Sequence, residues 1–204
     1  MFILDHIAVV ARTLDEGAAY VRDQLGIELP AGGTHPDMGT HNRLVGFQEG
    51  FYLEVIAIDP NAMAPPYPRW FDLDTFDGTP RIGNWILRCA DTGAALSALG
   101  AQYGRVLPLK RADLRWEMIV PQSGRLPYDN CAPALISWKS ALHPVDLLPK
   151  VEARLKTLSV SHPDAGMLSA ELAPHFSDPR VVFAPSDTIK IEAEIVVNGK
   201  VCSL

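Results

Sequence analysis

The chain has 204 residues, 48% of them hydrophobic, and a formal net charge of −6 at pH 7. A chain of this length buries one substantial core, or two small modules that share a core. The 18 Lys and Arg residues are scattered, which argues against a nucleic-acid partner. No apolar run approaches the roughly 20 residues that span a bilayer, and the N-terminus lacks the basic region of a signal peptide. We therefore expect a cytoplasmic protein with no membrane partner.

The first 60 residues have the pattern of a β-α-β-β-β unit. A helix follows the first strand, and its predicted N-cap is Thr13, with Glu16 three residues later. Gly26 is expected to end this helix. Strands are predicted at residues 4–10, 27–30, 42–47 and 51–58.

The same pattern returns after a connection that contains five prolines between residues 59 and 81. The second unit begins about 78 residues downstream, counted from His6 to Asn84, and Asp91 is the predicted cap of its helix. A shorter β-α-β-β piece follows. We predict an α+β fold with a first module at 1–60, a Pro-rich connection at 61–81, a second module at 82–145 and a C-terminal extension at 146–204.

His6 and Glu54 each lie inside an otherwise apolar strand, in LDHIAVV and FYLEVIAI. A strand shows alternate residues to opposite faces, and a buried His or Glu without a partner is costly. Each side chain must therefore meet a partner or line a cavity. Two interpretations stay open: the two side chains ligate a metal, or they form a hydrogen-bonded pair at the wall of a cleft.

Paired modules with His on the first strand and Glu on the fourth resemble the vicinal oxygen chelate superfamily, which includes glyoxalase I, extradiol dioxygenases, epimerases and resistance proteins. The segments LDHIAVV, GGTHPDMGTHNRLVGF, FYLEVIAID and ALISWKSALHP are similar to those of glyoxalase-like domain proteins. The resemblance implies that each sheet rolls into a half-barrel, and that the two face each other around a cleft for a small molecule. One fold of this kind hosts many reactions.

In the superfamily, first and fourth strands of both modules supply metal ligands. The resemblance therefore assigns His6 and Glu54 as metal ligands and catalytic residues, with one divalent ion of Zn, Mn, Fe, Ni or Co. In the second module, Asn84 stands where the first-strand ligand belongs, and the fourth strand offers Ser137, or Ile136 in a register shifted by one. Half of the four-ligand pattern is missing.

The glycine-rich loop at residues 31–42 has two interpretations. Its backbone N–H groups hold an anion, or it is a tight connection whose glycines supply positive φ angles. The candidates for a third metal ligand are His35, His41 and His143. Trp85, Trp116 and Trp138 could form an aromatic wall of the cleft. The residues expected to contact the small molecule are His35, Thr40, His41, Asn42, Asn84, Ser137, Trp138 and His143.

Two functions remain open on this basis. The first is a metal-dependent lyase, isomerase or dioxygenase acting on a substrate with adjacent oxygens. The second is a metal-free protein that binds or sequesters a hydrophobic compound, and the missing second-module ligands favour it. Paired modules are also compatible with a homodimer.

Overall fold

The computed structural model describes residues 1–204, which form twelve strands and four α-helices. Short 3₁₀ turns lie at Gln48–Gly50, Trp70–Asp72 and Ala101–Tyr103. None of the helices is long and apolar enough to cross a bilayer. The helices are α1 (Leu14–Leu25), α2 (Thr92–Leu99), α3 (Pro144–Leu147) and α4 (Ala165–Leu172). The strands are β1 (Ile3–Val10), β2 (Gly33–His35), β3 (Thr40–Gly46), β4 (Tyr52–Ile58), β5 (Arg81–Arg88), β6 (Arg105–Arg111), β7 (Leu114–Val120), β8 (Ala134–Trp138), β9 (Ala153–His162), β10 (Val181–Pro185), β11 (Lys190–Val197) and β12 (Lys200–Ser203).

The two modules share one eight-stranded sheet in the order β2-β3-β4-β1-β5-β8-β7-β6. The first strands of the modules, β1 and β5, lie antiparallel at its centre, and their register pairs His6 with Ile86 and Ala8 with Asn84. Asn84 and Ile86 lie 78 residues after His6 and Ala8, so exchanging the two modules converts one pair into the other. An approximate two-fold axis therefore passes between the strands. The predicted α+β fold with paired modules is confirmed.

The sheet curls until its two edge strands approach each other. Gly33 on β2 lies against Arg111 at the end of β6, and a Cβ atom on Gly33 would come within 2.8 Å of Arg111 Cδ. A residue without a side chain permits this approach. Arg111, a residue of the second module, thereby reaches the polar side chains of the first.

Capping residues set the helix boundaries, as predicted. Thr13 Oγ1 accepts a hydrogen bond from the Glu16 N–H at 3.1 Å, and Gly26 ends α1 in the left-handed conformation with φ 69°. The Asp91 carboxylate accepts from the Ala94 N–H at 2.8 Å and so begins α2.

The second strand of the first module differs from the prediction. It lies at Gly33–His35, within the predicted loop, and not at residues 27–30. Ile27 and Leu29 are buried in the core without strand pairing. Alternating apolar residues have the same pattern whether packing or strand pairing buries them, so the pattern alone does not separate the two cases.

The C-terminal extension forms a second sheet in the order β10-β9-β11-β12. It packs on Trp85, whose ring lies 5.7 Å from Phe176 and 6.0 Å from Phe183 between centroids. Trp85 is on the face of β5 opposite to Ile86, the pairing partner of His6. The extension therefore covers the outer face of the eight-stranded sheet.

Candidate functional site

A small cavity of about 40 Å³ lies on the His6 face of the curled sheet, between the two modules. Trp70 and Phe71 of the Pro-rich connection complete its wall. Its polar lining residues are His6, His35, Asn42, Glu54 and Arg111. Aromatic lining comes from Tyr52, Trp116 and Trp138 as well as the connection.

His6 lies between two carboxylates. Its Nδ1 atom is 2.8 Å from Asp5 Oδ1, and its Nε2 atom is 3.5 Å from Glu54 Oε2. Carboxylates accept hydrogen bonds only, so this arrangement suits an imidazolium with a proton on each nitrogen. Tyr52 stacks on the imidazole ring at 4.2 Å between centroids and fixes its plane.

A β-bulge places Asp5 beside His6. In the pairing of β1 with β5 the register shifts between Leu4 and His6, which leaves Asp5 without a partner. Such bulges redirect a side chain, and strand alternation would otherwise send Asp5 to the opposite face. The buried carboxylate also lies 2.8 Å from His143 Nε2 and accepts from Trp138 Nε1 at 3.3 Å.

Glu54 is linked to Arg111 through Asn42. The Asn42 amide donates to Glu54 Oε1 at 2.7 Å, and its carbonyl oxygen accepts from Arg111 Nη1 at 2.9 Å. The same oxygen accepts from the Gly33 N–H at 3.2 Å. That N–H in the glycine-rich loop is therefore bonded to a side chain, which supports the interpretation of the loop as a connection.

His35 accepts two hydrogen bonds at one nitrogen. Its Nε2 atom is 3.3 Å from both Asn42 Nδ2 and Arg111 Nη1, and its Nδ1 atom is 3.0 Å from Thr40 Oγ1. Because both partners of Nε2 are donors, His35 must be the neutral tautomer with its proton on Nδ1.

The charges of the site follow from burial and these contacts. Burial disfavours the charged forms, but the hydrogen bonds and charges of Asp5 and Glu54 outweigh it and raise the pKa of His6 above 6.5. Burial likewise opposes ionisation of Glu54, yet His6 lowers the pKa of Glu54 to about 2. The pKa of Asp5 is held well below its ordinary value by His143 and His6 in spite of burial. These contacts therefore favour the protonated form of His6 between two ionised carboxylates.

His35 is expected to make the protein sensitive to mild acid. Burial lowers its pKa to about 4, with the Glu54 charge opposing and the Arg111 charge adding to the effect. The unfolded chain takes up this proton near pH 6.5 and the folded chain only near pH 4, so stability is lost as the pH falls between these values. The free energy of unfolding should drop by about 3 kcal/mol from this group.

Urea unfolding at several pH values tests this expectation. His35→Gln should lack this part of the pH dependence, whereas His175→Gln, the same change outside the cavity, should retain the wild-type profile. Equal pH profiles for His35→Gln and the wild type would show that His35 titrates normally in the folded protein.

The donor set of the cavity does not fit a firmly bound divalent metal. Only His6 Nε2 and Glu54 Oε2 converge, whereas His35 Nε2 accepts from a guanidinium, whose charge repels a cation. No group of three or more His, Cys, Asp or Glu side chains is arranged to hold a metal ion. Transition-metal sites usually take three or four protein ligands.

The second module has no half-site of its own. Ala8 pairs with Glu54, and Ile86, the counterpart of Ala8 in the second module, pairs with Ala134. Ala134 is therefore the counterpart of Glu54, and the predicted alignment of Ser137 or Ile136 with Glu54 is corrected.

Asn84, the counterpart of His6, is committed to the backbone. Its amide donates to the carbonyls of Asn130 and Ala132 at 3.3 and 3.0 Å and accepts from the Ala134 N–H at 3.1 Å. Asn84 thus joins β5 to the start of β8, outside the cavity lining, where a ligand contact was predicted.

The other predicted contacts divide between the cavity and its surroundings. His35, Asn42 and Trp138 line the cavity, and Thr40 supports His35. His41 lies on the other face of β3 from Asn42, because adjacent strand residues alternate.

Ser137 and His143 also lie outside the lining. Ser137 Oγ donates to the Ala90 carbonyl at 3.0 Å, so the fourth strand presents Trp138 to the cavity instead. His143 caps α3 and is linked to His6 through Asp5 and through the Tyr52 ring. Of the predicted aromatic wall, Trp116 and Trp138 pack together at 5.5 Å between centroids, and Trp85 faces the extension.

Sequence reasoning missed Asp5, Tyr52, Trp70 and Arg111. A signal for Asp5 was present, since it is a second ionisable residue, next to His6, in the apolar run LDHIAVV. No signal pointed to Arg111, which ends a strand with the alternation of an exposed edge.

A curled sheet of paired β-α-β-β-β modules, with His and Glu on the first and fourth strands of one module, defines a protein of the vicinal oxygen chelate type. The family model described as "Glyoxalase-like domain" matches residues 4–176. The chain belongs to this family, which confirms the resemblance seen in the sequence. A search of curated proteins found no significant match.

One solved structure shares the fold at low identity, and two others match with lower TM-scores. A hypothetical protein from Staphylococcus aureus is 14% identical, with 100% of this chain and 84% of that chain covered and a TM-score of 0.58. Methylmalonyl-CoA epimerase from Mycobacterium tuberculosis is 18% identical over 68% of this chain and 88% of its own, with a TM-score of 0.46. A Streptomyces coelicolor methylmalonyl-CoA epimerase variant in complex with 2-nitronate-propionyl-CoA is 16% identical over 68% and 97%, with a TM-score of 0.44. At these identities the likeness concerns the fold alone.

Proposed function

We propose that the protein is a metal-independent enzyme that moves a proton on a small molecule carrying a carbonyl or carboxylate oxygen, as isomerases and lyases do. One observation carries the proposal: a proton donor, His6 Nε2, and a proton acceptor, Glu54 Oε2, face each other at 3.5 Å at the wall of a buried cavity. Paired groups of opposite protonation are what a proton shift requires.

The proton shift follows from these two groups. A proton on the carbon next to the substrate carbonyl passes to Glu54 Oε2, and the C–H electron pair forms the C=C bond of an enol. The carbonyl oxygen takes the proton of His6 Nε2. For an α-hydroxyketone, Glu54 returns its proton to the former carbonyl carbon, and the hydroxyl proton of the other carbon passes to His6, which yields the isomer.

Substrate entry tunes Glu54 for this role. A carboxylate with a pKa of about 2 is a weak base. A ligand that inserts between Glu54 and His6 removes the contact that lowers this pKa, and burial then raises it. Asp5 keeps the His6 ring oriented through Nδ1 at 2.8 Å during the transfer.

Arg111 is suited to hold the substrate oxygen. One of its terminal nitrogens bonds Asn42, and a guanidinium carries five N–H donors in all. The remaining donors stabilise negative charge on an oxygen at the centre of the cavity. Asn42 positions both Arg111 and Glu54 and therefore couples oxygen binding to proton transfer.

The test is hydrogen exchange in heavy water. Chelator-treated protein is incubated with a panel of 2-oxo acids, α-hydroxyketones and thioesters, and loss of the α-proton signal is followed by ¹H NMR. We expect exchange that EDTA does not affect, together with no stoichiometric metal by inductively coupled plasma mass spectrometry. Exchange that disappears with chelator and returns with Zn, Mn, Fe, Ni or Co would instead establish the metal-dependent enzyme.

A metal-free binding protein is the second candidate. The aromatic lining by Trp116 and Trp138 and the missing second-module ligands favour it. Ligand uptake without any exchange in the same panel would identify it.

A further inference from the structure

The cavity by itself is too small for a substrate of ordinary size. Its volume of about 40 Å³ suffices for about three water molecules. A larger cleft of about 490 Å³ lies between the Pro-rich connection and the C-terminal extension. Ligand sites typically have volumes of roughly 300–1,000 Å³, so the cleft, unlike the cavity, has the size of one.

Phe71 separates the two spaces. It belongs to the linings of both the cavity and the cleft, and its ring stacks on Trp70 at 5.6 Å between centroids. Phe71 and Asp72 have φ angles of 58° and 56°, in the left-handed region that few residues other than glycine adopt. Phe71 is therefore the residue that the two linings share, and its backbone conformation is unusual.

Phe71 is buried in the hydrophobic core, and hydrogen bonds hold the backbone of Phe71 and Asp72. The Phe71 carbonyl accepts from Asn130 Nδ2 at 3.3 Å, and the Asp72 N–H donates to the Gly124 carbonyl at 3.0 Å. Trp70, next to it, has a buried indole N–H with no hydrogen-bond partner, although buried donors are nearly always paired. Trp70 also belongs to the cavity lining, so this unpaired donor lies in the cavity wall.

The cleft has a mixed lining of apolar and charged side chains. Val10, Ile82, Ile189 and Ile191 contribute to its lining.

Each cation of the cleft already has a partner. Arg125 contacts Asp129 at 2.6 Å, and Lys190 contacts Glu192 at 2.8 Å. The Arg81 guanidinium lies 4.5 Å from the centroid of the Phe76 ring and donates to a backbone carbonyl. Because these contacts engage the cations, the apolar part of the lining is left for an uncharged, apolar group.

We propose that cavity and cleft form one elongated ligand site, divided by Phe71. The oxygen-bearing end of the ligand lies in the cavity against Arg111 and the Trp70 N–H, and an apolar, uncharged body lies in the cleft. The substrate class is therefore a carbonyl or carboxylate compound with a long apolar substituent. This inference rests on the proposed binding of a ligand oxygen at Arg111.

Straight-chain carboxylates test the site with the full-length chain. Titration calorimetry compares acetate, hexanoate and decanoate, which share one head group. We expect decanoate to bind at least about 100-fold tighter than acetate, because its extra methylene groups leave water in the cleft.

Two variants locate the tail. Ile189→Trp fills the cleft from a half-exposed position and should weaken decanoate at least about tenfold without affecting acetate. Val201→Trp, the matched control, adds the same ring to an exposed position of the extension outside the cleft and should change neither affinity. Equal affinities for the three carboxylates, or an unchanged decanoate affinity in Ile189→Trp, would overturn the elongated site.

Arg111→Gln separates this inference from the proposed function. If it weakens acetate and decanoate alike while chain length has no effect, the cavity binds oxygen and the cleft proposal fails. If chain length matters and Ile189→Trp blocks decanoate while Arg111→Gln has no effect, the cleft holds the tail and the assigned role of Arg111 fails.

Discussion

Replacing Glu54 with Gln should lower the rate of α-proton exchange by about 10²–10⁴-fold. The amide keeps the shape of the side chain and its place beside Asn42, but it cannot accept a proton from carbon. The fold should survive, because the lost charge contact with His6 spans 3.5 Å and His6 keeps its 2.8 Å contact with Asp5. Exchange rates by ¹H NMR in heavy water, measured on the best compound of the panel, give the result.

Glu28→Gln is the matched control, since it makes the same chemical change at an exposed position. It should exchange at the wild-type rate. An exchange rate of Glu54→Gln within a factor of two of the wild type would rule out Glu54 as the proton acceptor. If Glu54→Gln loses exchange but binds decanoate with the wild-type affinity, Glu54 acts in proton transfer and not in ligand binding.

Replacing Asp5 with Asn should lower the free energy of unfolding by about 3–5 kcal/mol. The Asp5 carboxylate is fully buried and lies 2.8 Å from both His6 and His143. The amide replaces one acceptor oxygen with an N–H donor, which then faces the N–H donors of the His6 and His143 rings. It also removes the negative charge that balances the His6 charge. Urea unfolding followed by circular dichroism measures the change.

Asp23→Asn makes the same change at an exposed carboxylate that contacts Arg22. Such surface substitutions usually stay within about 0.5 kcal/mol. A cost below about 1 kcal/mol for Asp5→Asn would mean that His6 does not carry a charge in the folded protein.

Much of the fold was predictable from local signals. Thr13, Gly26 and Asp91 marked helix ends because capping depends on the residue itself and a few neighbours. His6 and Glu54 stood out because a charge in an apolar strand needs a partner. Their predicted proximity as a pair at a cleft wall agrees with the 3.5 Å contact.

The rest of the site depends on relations that no short segment contains. Asp5 faces His6 only because β1 bulges against β5, a property of the pairing between two distant strands. The choice of Trp138 over Ser137 follows from the register of β8, and one residue of slip reverses the face of every side chain.

Local sequence therefore decided the elements, the repeat and the two charged residues of the first module, because side-chain periodicity and capping act over a few residues. Closure of the curled sheet decided which residues join them. Gly33 lets the edge strands approach, and Arg111 thereby reaches Asn42 and His35 across 69 and 76 positions of the chain. A contact at that separation arises only when the whole sheet has formed.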